Sequence, residues 1–486
     1  MLWPWSSRRV SGLGACLSAL ALSVGVLAAG HTAYGQERLR KGPWVMNQRP
    51  GRVTILAERG TPGAVSVQVW REGARGSAPV TVHSAGPGVL HELVVSGLTA
   101  GLRYRYTLSG PGLTPQEGHF STAPAGAESF RFVLYGDTRS HAAAHAAIAE
   151  SIRREAPDFV VHTGDLVSDG RRERDWQQFF EIERELLRDT LFIPVIGNHE
   201  LRPPSHEGIE NFRKYIHCDP DSPNPELDYS LHYGHIRMIL SNAYENWAEA
   251  PMRPWLEQQL ARARREGPDD FLLVVMHWGM HSSGPHGPNN TLRRAGLVDL
   301  FRRYNVDLVV AGHDHIYERG EERGLRFVVT GGGGAPLYRQ RRPFEFTDSF
   351  VSAHHYIRVD ADPQRLQLTA LRADGTVLDR FDIRHTRPAA TARPEPALEH
   401  VVIGANAPVD DDDASPTGPG LEARAQSAEA ASATPRRRRR RPRGELHART
   451  CLCTAPGAPG GPSGVALGPL AASLAWALRR RRHSPR

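Results

Sequence analysis

Two histidines separated by one residue, His313 and His315, follow an apolar run of strand length that ends at Gly312. Side chains two apart in an extended segment point the same way, so both imidazoles can face one site as neutral nitrogen ligands of a transition metal. The same order, an apolar run followed by a polar turn, recurs at four places upstream. Those turns carry Asp137, Asp165, Asn198 with His199 and Glu200, and His277. Packing alone does not explain five strand ends that each offer a metal-ligand side chain, so we expect them to converge on one site.

The elements that must position these residues are strands alternating with helical stretches, from Phe130 to about Asp382. Such alternation predicts an α/β layered domain, which we place at residues 129–385. The clearest predicted helices span residues 142–155 and 171–188, and two more span residues 254–265 and 291–304.

Residues 41–124 contain strand-length runs of alternating apolar and polar residues, separated by Gly and Pro clusters. This pattern is typical of a small all-β sandwich. Leu98, Gly101, Tyr104 and Tyr106 resemble the approach to the late strand of fibronectin-III-like domains. The segment has no cluster of ligand-type side chains, so we expect it to pack or position without chemistry of its own.

The first 35 residues predict an export signal, because Arg8 and Arg9 precede an apolar run at residues 17–29 and small residues follow. A retained membrane anchor is the alternative, but the run is short for a membrane span. The residues around Arg8 also resemble a twin-arginine export signal. We therefore expect an exported protein, at the cell surface or outer envelope or secreted.

The sequence of the last hundred residues predicts a linker followed by a sorting signal. Residues 386–450 combine low hydrophobicity with an acidic block and an arginine block, which predicts a disordered linker. Residues 451–486 contain Cys451-Leu452-Cys453, an apolar run and an arginine cluster, and resemble a MYXO-CTERM-type sorting signal. That resemblance implies a C-terminal processing enzyme and transient membrane contact; a plain C-terminal anchor is the alternative.

The charge pattern argues against nucleic-acid binding. The net charge is +7, yet two arginine clusters near the C terminus hold more positive charge than this, so the rest of the chain is net acidic. A net acidic body is not the electrostatic footprint of a nucleic-acid binder. The four cysteines are scattered and predict no disulfide framework for the body.

The five turns together resemble the calcineurin-like metallophosphoesterase superfamily, and with the sandwich in front they resemble its purple-acid-phosphatase branch. The resemblance implies an α/β fold, a layered metallophosphoesterase β-sandwich flanked by helices, and a metal-dependent phosphatase that uses two metal ions, Fe, Zn or Mn. It implies that Asp165 bridges the metals and that metal-bound hydroxide attacks phosphorus in line. The implied ligands are Asp137, Asp165 and His315 for the first metal, and Asp165, Asn198, His277 and His313 for the second.

The resemblance also implies roles beside the metals. His199 is expected to act as a catalytic acid, with an orienting role as the alternative. Arg139 is expected to bind phosphate oxygens, with a structural ion pair as the alternative. His281 is the preferred substrate contact on the loop after His277, and His286 is the next candidate.

Two positions depart from the family pattern. Ser168 stands where the purple enzymes have a tyrosine, so a ferric charge-transfer colour is not expected and an obligatory Fe(III) site is in doubt. Arg139 stands where other branches place a histidine, so we expect the first metal to be completed by water or by a histidine such as His141 or His145. Both histidines lie on the following predicted helix, where a surface position is the favoured interpretation. His162 is read as a core histidine, and residues 331–334 as a tight glycine passage without a nucleotide-binding role.

The most favoured function is therefore an exported, acid-phosphatase-like phosphomonoesterase that acts on a small-molecule phosphoester. A phosphodiesterase or nucleotidase with the same metal site is the alternative. A surface adhesin with an inactive enzyme domain is less favoured, because inactive copies usually lose ligands and all six core ligands are present.

Overall fold

The computed structural model describes residues 37–385, with gaps at 75, 77, 203–204, 219–223 and 243–251. These residues belong to Met1–Glu399, the first of two compact units of the chain. The predicted export signal, linker and sorting segment lie outside the described residues. Within the described part of the chain, no helix is long and apolar enough to cross a membrane.

Among the residues described before Phe130, seven strands form two sheets with one shared core. Their bounds are β1 (Lys41–Arg49), β2 (Arg52–Gly63), β3 (Ser66–Arg71), β4 (Val80–His83), β5 (Gly88–Ser96), β6 (Arg103–Ser109) and β7 (Gln116–Ser121). Strands β1, β2 and β5 pair antiparallel in one sheet, and β4, β3, β6 and β7 form the other. The segment is therefore a two-sheet arrangement, and its likeness to a fibronectin-III module stays a prediction.

The first of these sheets is continuous with the α/β region. Strand β1 pairs in parallel with β10 (Leu191–Pro194) through Val45 and Leu191. A nine-stranded sheet results, and it includes β8 (Phe130–Tyr135), β9 (Phe159–His162), β18 (Tyr356–Asp362), β19 (Arg365–Leu371) and β20 (Val377–Arg384). The order is β20-β19-β18-β8-β9-β10-β1-β2-β5, with β8, β9 and β10 parallel at the centre. The two predicted domains thus share a sheet.

A second sheet has the order β11-β12-β13-β14-β16-β15-β17, and its four consecutive strands from β12 to β16 are parallel. Its strands are β11 (Tyr229–Tyr233), β12 (Ile236–Ser241), β13 (Phe271–Met276), β14 (Leu308–Ala311), β15 (Tyr317–Glu322), β16 (Leu325–Thr330) and β17 (Thr347–Val351). The nine-stranded sheet and this seven-stranded sheet stack through a common apolar core. The predicted layered α/β class is confirmed.

The central strands are buried on both faces. In β8, Phe132 and Leu134 join the core between the sheets, whereas Val133 and Tyr135 join a second core under the helices. Successive side chains of a strand point to opposite faces, so a strand covered on both sides reads as a continuous apolar run. This explains why each candidate ligand follows an unbroken apolar stretch.

Helices cover the outer faces. They are α1 (Ala142–Glu155), α2 (Glu173–Ile182), α3 (Arg184–Asp189), α4 (Asn198–Leu201), α5 (Ile209–Tyr215), α6 (Met252–Glu266), α7 (Asn290–Arg294) and α8 (Leu297–Arg303). Helix α1 has the predicted bounds, but the predicted helix 171–188 is two helices that meet at Glu183. The predicted helix 291–304 is also two, because Gly296 between them has a φ of 76°, in the left-handed region.

Candidate metal centre

The candidate ligands lie at the carboxyl ends of parallel strands from both sheets. Because such ends meet at one edge of a sheet, and the sheets stack, the turns converge. Asp137, Asp165 and Asn198 follow β8, β9 and β10, His277 follows β13, and His313 and His315 follow β14. The structure therefore brings the six predicted ligands together, and all but Asn198 are at least nine-tenths buried.

Asp165 lies at the centre of this cluster. Its Oδ1 is 3.3 Å from Nε2 of His277 and accepts a hydrogen bond from the backbone N–H of His199 at 3.0 Å. Its Oδ2 accepts a hydrogen bond from Nε of Arg139 at 3.0 Å. The carboxylate thus faces ligands from both sheets, as a bridging residue must.

Asn198 joins two histidines of the second sheet. Its Oδ1 is 3.0 Å from Nε2 of His277 and 3.1 Å from Nδ1 of His313. The two ring nitrogens are themselves 3.2 Å apart. One amide oxygen and two imidazole nitrogens therefore point at a common space.

The tautomer of His277 shows what that space requires. Its Nδ1 is 2.8 Å from the carbonyl oxygen of Thr163, so Nδ1 carries the proton and Nε2 presents a lone pair. Burial lowers the pKa of His277, which favours the neutral ring. The Nε2 lone pair therefore faces Oδ1 of Asp165 without a proton between them. A cation removes this repulsion between acceptors.

Asp137 and His315 form the other side of the cluster. Nε2 of His315 is 3.6 Å from Oδ1 of Asp137, and Nδ1 of His315 donates to the carbonyl oxygen of Pro336 at 2.6 Å. Burial lowers the pKa of His315 to about 4, so its inward nitrogen, Nε2, is an acceptor. Burial, and next the charge of Asp165, hold the pKa of Asp137 well above its usual range. Two buried carboxylates with neutral imidazoles around them fit a pair of metal cations.

The backbone at three of these ligands is strained. The φ angles of Asp137, Asp165 and His313 are 56°, 56° and 72°, which non-glycine residues rarely adopt. A Cβ on Gly197 would lie 2.3 Å from the backbone nitrogen of Asp165, so only glycine fits there. Strain of this kind persists where surrounding contacts over-determine it and is concentrated at functional sites.

Glu200 is a buried residue whose role the sequence did not reveal. Its carboxylate accepts hydrogen bonds from the backbone N–H groups of Asp165, Val167 and Gly197, each at 2.9 Å. Burial, and next the charge of Asp165, raise the pKa of Glu200 to about 8. Glu200 therefore ties the turn of Asp165 to the turn of Asn198. The sequence shows a glutamate two residues after Asn198. A glutamate there could equally bind a metal or accept backbone hydrogen bonds, and the residue type does not decide between the two roles.

Arg139 borders the cluster and makes the ion pair that was one of its two predicted roles. Besides Asp165, its Nη2 contacts Nε2 of His315 at 3.2 Å, and its Nη1 donates to Oγ of Ser140 at 3.3 Å. Its side chain retains 15% exposure, so the guanidinium lies between the buried ligands and solvent. Phosphate binding by Arg139 stays a prediction that this location suits.

His199 faces the cluster from the side of Ser168. Its Nδ1 is 2.7 Å from the carbonyl oxygen of Ser168, and its Nε2 is 3.8 Å from Oδ2 of Asp165. The ring is thus fixed at Nδ1, while Nε2 points to the space beside Asp165. The Oγ of Ser168, which occupies the position of the family's tyrosine, is 3.4 Å from Oγ of Ser140.

The structure does not bring His281 to the cluster. Its Nε2 donates to Glu322 at 2.6 Å, and its ring stacks on Phe327 with centroids 4.3 Å apart. Only 2% of the residue is exposed. Burial lowers the pKa of His281 to about 4, so the ring is neutral at pH 7. These contacts do not support the predicted substrate contact, because the ring is packed in an interior ion-pair network.

Replacing His281 by glutamine is expected to lower the free energy of unfolding by about 1–3 kcal/mol, because a buried hydrogen bond and an aromatic stack are lost. Since the folded pKa lies below the ordinary value, the contribution of His281 is full above about pH 6.5 and is lost as the pH falls towards 4. The difference in melting temperature between the wild type and the variant should therefore narrow as the pH falls. The KM of the variant should stay at the wild-type value. A raised KM at unchanged melting temperature would restore the predicted substrate contact.

His286 and Tyr338 lie at the rim instead. The ring of His286 is 4.2 Å from that of His313, and its Nδ1 is 2.7 Å from Oδ1 of Asp314. The Tyr338 ring stacks on His315 with centroids 4.1 Å apart. Tyr338 was missed by the sequence analysis, because a tyrosine after a glycine run has no recognisable signal. His286, the second candidate of the loop, is the one beside the ligands.

Other predicted features have structural roles. His162 is fully buried and its Nε2 is 3.1 Å from Oγ1 of Thr138, as expected of a core histidine. His145 was expected on the surface, yet it is buried and its Nε2 is 2.7 Å from Glu183, so it is not placed to complete a metal site. The glycine passage 331–334 packs against the cluster, since a Cβ on Gly333 would lie 2.4 Å from the carbonyl oxygen of Gly136.

Comparison with known proteins finds similarity to phosphoesterases over part of the chain. Residues 130–317 match the family described as calcineurin-like phosphoesterase. An uncharacterized protein of Mycobacterium tuberculosis is 30% identical over 262 residues, which cover 46% of this chain and 49% of that protein. The Fe(3+)-Zn(2+) purple acid phosphatase 12 of Arabidopsis thaliana is 27% identical over 59% of this chain and 66% of that protein. The chain thus spans about half the length of the mycobacterial relative.

A solved structure shares the fold. The purple acid phosphatase from yellow lupin (Lupinus luteus) seeds aligns with a TM-score of 0.62 and 20% identity, over 71% of this chain and 74% of that chain. At this identity the likeness concerns the arrangement of sheets and helices. The likeness confirms the predicted fold, and the matched family and the Arabidopsis relative make residues 130–317 similar to phosphoesterases that bind metals.

Proposed function

We propose that this chain, in which residues 130–317 form a calcineurin-like phosphoesterase domain, hydrolyses phosphate monoesters of small molecules with two bound metal ions. One observation carries the proposal: Asp165 and Asn198 turn acceptor oxygens towards the His277 nitrogen at 3.3 and 3.0 Å in a buried site. Such a buried set of acceptors needs a partner, and bound metal cations would supply it. The name of the Arabidopsis relative supports a phosphatase that uses iron and zinc.

The metals, which we propose to be iron, zinc or manganese, would be held by two overlapping sets of residues. When bound, they supply Lewis-acid activation of water and of the phosphoryl oxygens. The first set is Asp137, Asp165 and His315, and the second is Asp165, Asn198, His277 and His313.

Arg139 would bind the phosphoryl group. If His315 held a metal, Nη2 of Arg139 would lose the contact that it makes with His315 at 3.2 Å and would be available to a phosphoryl oxygen. The guanidinium presents donors in a planar fork that suits phosphate geometry. Its Nε remains on Asp165, which holds the fork at the edge of the cluster.

His199 would act as the general acid. In direct hydrolysis, a water oxygen bonds to phosphorus while the bond from phosphorus to the ester oxygen breaks, and the departing oxygen needs a proton. Nε2 of His199 points to the space beside Asp165 while Nδ1 is held by Ser168. In its imidazolium form, which carries a proton on each nitrogen, the ring is oriented to give the Nε2 proton to the leaving oxygen and to return to the neutral Nδ1–H form.

Monoesters are expected to be better substrates than diesters, because Arg139 and the metals together complement a dianionic phosphoryl group. The kcat/KM for p-nitrophenyl phosphate should exceed that for bis(p-nitrophenyl) phosphate by about 10²-fold. The purified full chain, with its metal content measured, is the sample. A preference for the diester would replace this proposal with the phosphodiesterase or nucleotidase reading. No hydrolysis of either ester by metal-loaded protein would contradict both.

The place of action is also a proposal. We infer from residues 1–35 that the protein is exported, to the cell surface or outer envelope or into the medium, where a small phosphoester would be its substrate. Residues 451–486 would serve a C-terminal processing enzyme and make transient contact with the membrane.

A further inference from the structure

A cavity of about 250 Å³ adjoins the metal centre on the side of His199. We call it the side cavity. Its walls include Arg139 and Ser168, two residues that also border the cluster, and the rest of its lining comes from α1, α2 and the loops that precede these two helices. Arg139 contacts Asp165, and the Ser168 carbonyl holds His199. The side cavity and the metal centre therefore share a wall.

The proposed chemistry directs the leaving group towards this cavity. The general acid must lie beside the departing oxygen, and His199 is held at Nδ1 by the carbonyl of Ser168. The departing oxygen lies at Nε2 of His199, which is 3.8 Å from Oδ2 of Asp165, the same oxygen that Nε of Arg139 contacts at 3.0 Å. The alcohol half of the ester extends from the departing oxygen beside Arg139. Arg139 lines the side cavity, which gives the alcohol half a place to enter.

The lining of the side cavity is cationic. Arg139, Arg172 and Arg174 line it, and Asp175 is the one carboxylate among the lining residues. Nε of Arg174 is 3.4 Å from Oδ1 of Asp175. Hydroxyl groups of Ser140 and Ser168 and the amide of Gln178 add polar groups, over an apolar floor formed by Leu166, Val167, Phe179 and Ile182.

The charge of Arg172 is not cancelled by its own ion pair. Its Nε is 3.2 Å from Oδ2 of Asp169, but that carboxylate also takes two hydrogen bonds from Arg171 and lies 3.6 Å from Arg202. The hydrogen bond from the Arg171 side chain is the main reason that the pKa of Asp169 is lowered to about 2. Glu207 is 3.1 Å from Nη1 of Arg171, so two carboxylates serve three guanidinium groups, and the rim beside the cavity keeps excess positive charge.

We propose that the side cavity binds a second anionic group, a carboxylate or a phosphate, on the alcohol half of the substrate. The inference rests on the proposed phosphomonoesterase function and narrows its substrates to phosphoesters that carry another negative charge. Arg172 and Arg174 are the specificity-determining residues. The apolar floor accommodates the carbon skeleton between the two charges.

The test compares 4-carboxyphenyl phosphate with its neutral carboxamide, 4-carbamoylphenyl phosphate, on the purified, metal-loaded full chain. The carboxylate ester is expected to have a kcat/KM roughly tenfold higher. In the double variant Arg172→Gln, Arg174→Gln this ratio should fall to about one, and in Gln178→Glu it should fall below the wild-type ratio. Arg154→Gln, on the exposed end of α1, is the matched control and should keep the wild-type ratio. A ratio near one in the wild type, or an unchanged ratio in both cavity variants, overturns the proposal.

A binding measurement separates this inference from the proposed reaction. The corresponding benzylphosphonates, with a carboxylate or a carboxamide in the same position, are not hydrolysed, so their dissociation constants can be measured by calorimetry whether or not the esters turn over. Tighter binding of the carboxylate, lost in the double variant, supports the cavity even if both esters prove inert and the phosphatase proposal fails. Equal dissociation constants in the wild type overturn the cavity proposal by themselves.

Discussion

Replacing Asp165 by asparagine is expected to lower kcat/KM for p-nitrophenyl phosphate by at least about 10³-fold, or about 4 kcal/mol in transition-state stabilisation. The substitution keeps the shape of the side chain but removes the negative charge proposed to be shared between the two metals. Both proposed sets of ligands include Asp165, so both sites weaken at once. Metal content, measured by elemental analysis of the purified variant, should fall below two ions per chain.

The matched control for this substitution is Asp299→Asn, which removes an exposed carboxylate on α8 and should leave metal content and activity at wild-type values. Circular dichroism and a thermal melt must show that Asp165→Asn is folded. A folded variant that retains two metal ions and most of its activity would remove the basis for the proposed reaction.

Replacing His199 by alanine is expected to lower kcat by about 10²–10³-fold for an ester with a poor leaving group, such as an alkyl phosphate. A nitrophenolate departs without help from an acid, so the loss for p-nitrophenyl phosphate should be much smaller. Because His199 is not among the proposed ligands, the metal content should stay the same. The measurement is kcat across esters whose alcohols differ in pKa, for the variant and the wild type.

This dependence on the leaving group distinguishes the acid from an orienting residue. If His199 only orients Asp165 or the turn of Asn198, the loss will be equal for all esters and the metal content will fall as well. His83→Ala, on the exposed strand β4, is a control that should change neither quantity.

The convergence of the site was predictable because it depends on local pattern. An apolar run predicts a buried strand, and a polar turn after it, at Asp137 or Asp165 for example, predicts a side chain at the carboxyl edge of a sheet. The bounds of α1 were predictable for the same reason, since its apolar residues repeat at helical spacing. Each of these inferences needs only neighbours in sequence.

The features that were missed depend on contacts between distant segments. Glu200 differs from a ligand only in where its oxygens point, towards three backbone N–H groups of two turns. His281 follows the ligand His277 closely, yet its ring turns into the interior because Glu322 and Phe327, from later strands, receive it. Residue type does not decide between these outcomes.

The pairing of β1 with β10 means that the segment from β1 to β7 supports the strand that positions Asn198. Strand β10 leads directly to the turn of Asn198, and β1 covers the side of β10 that faces away from β9. In a shortened protein that began at Phe130, β10 would become an edge strand with unpaired backbone N–H and C=O groups, which could pair with other molecules. The segment from β1 to β7 is therefore expected to be needed for a folded site, because the strand before Asn198 would otherwise lose its neighbour.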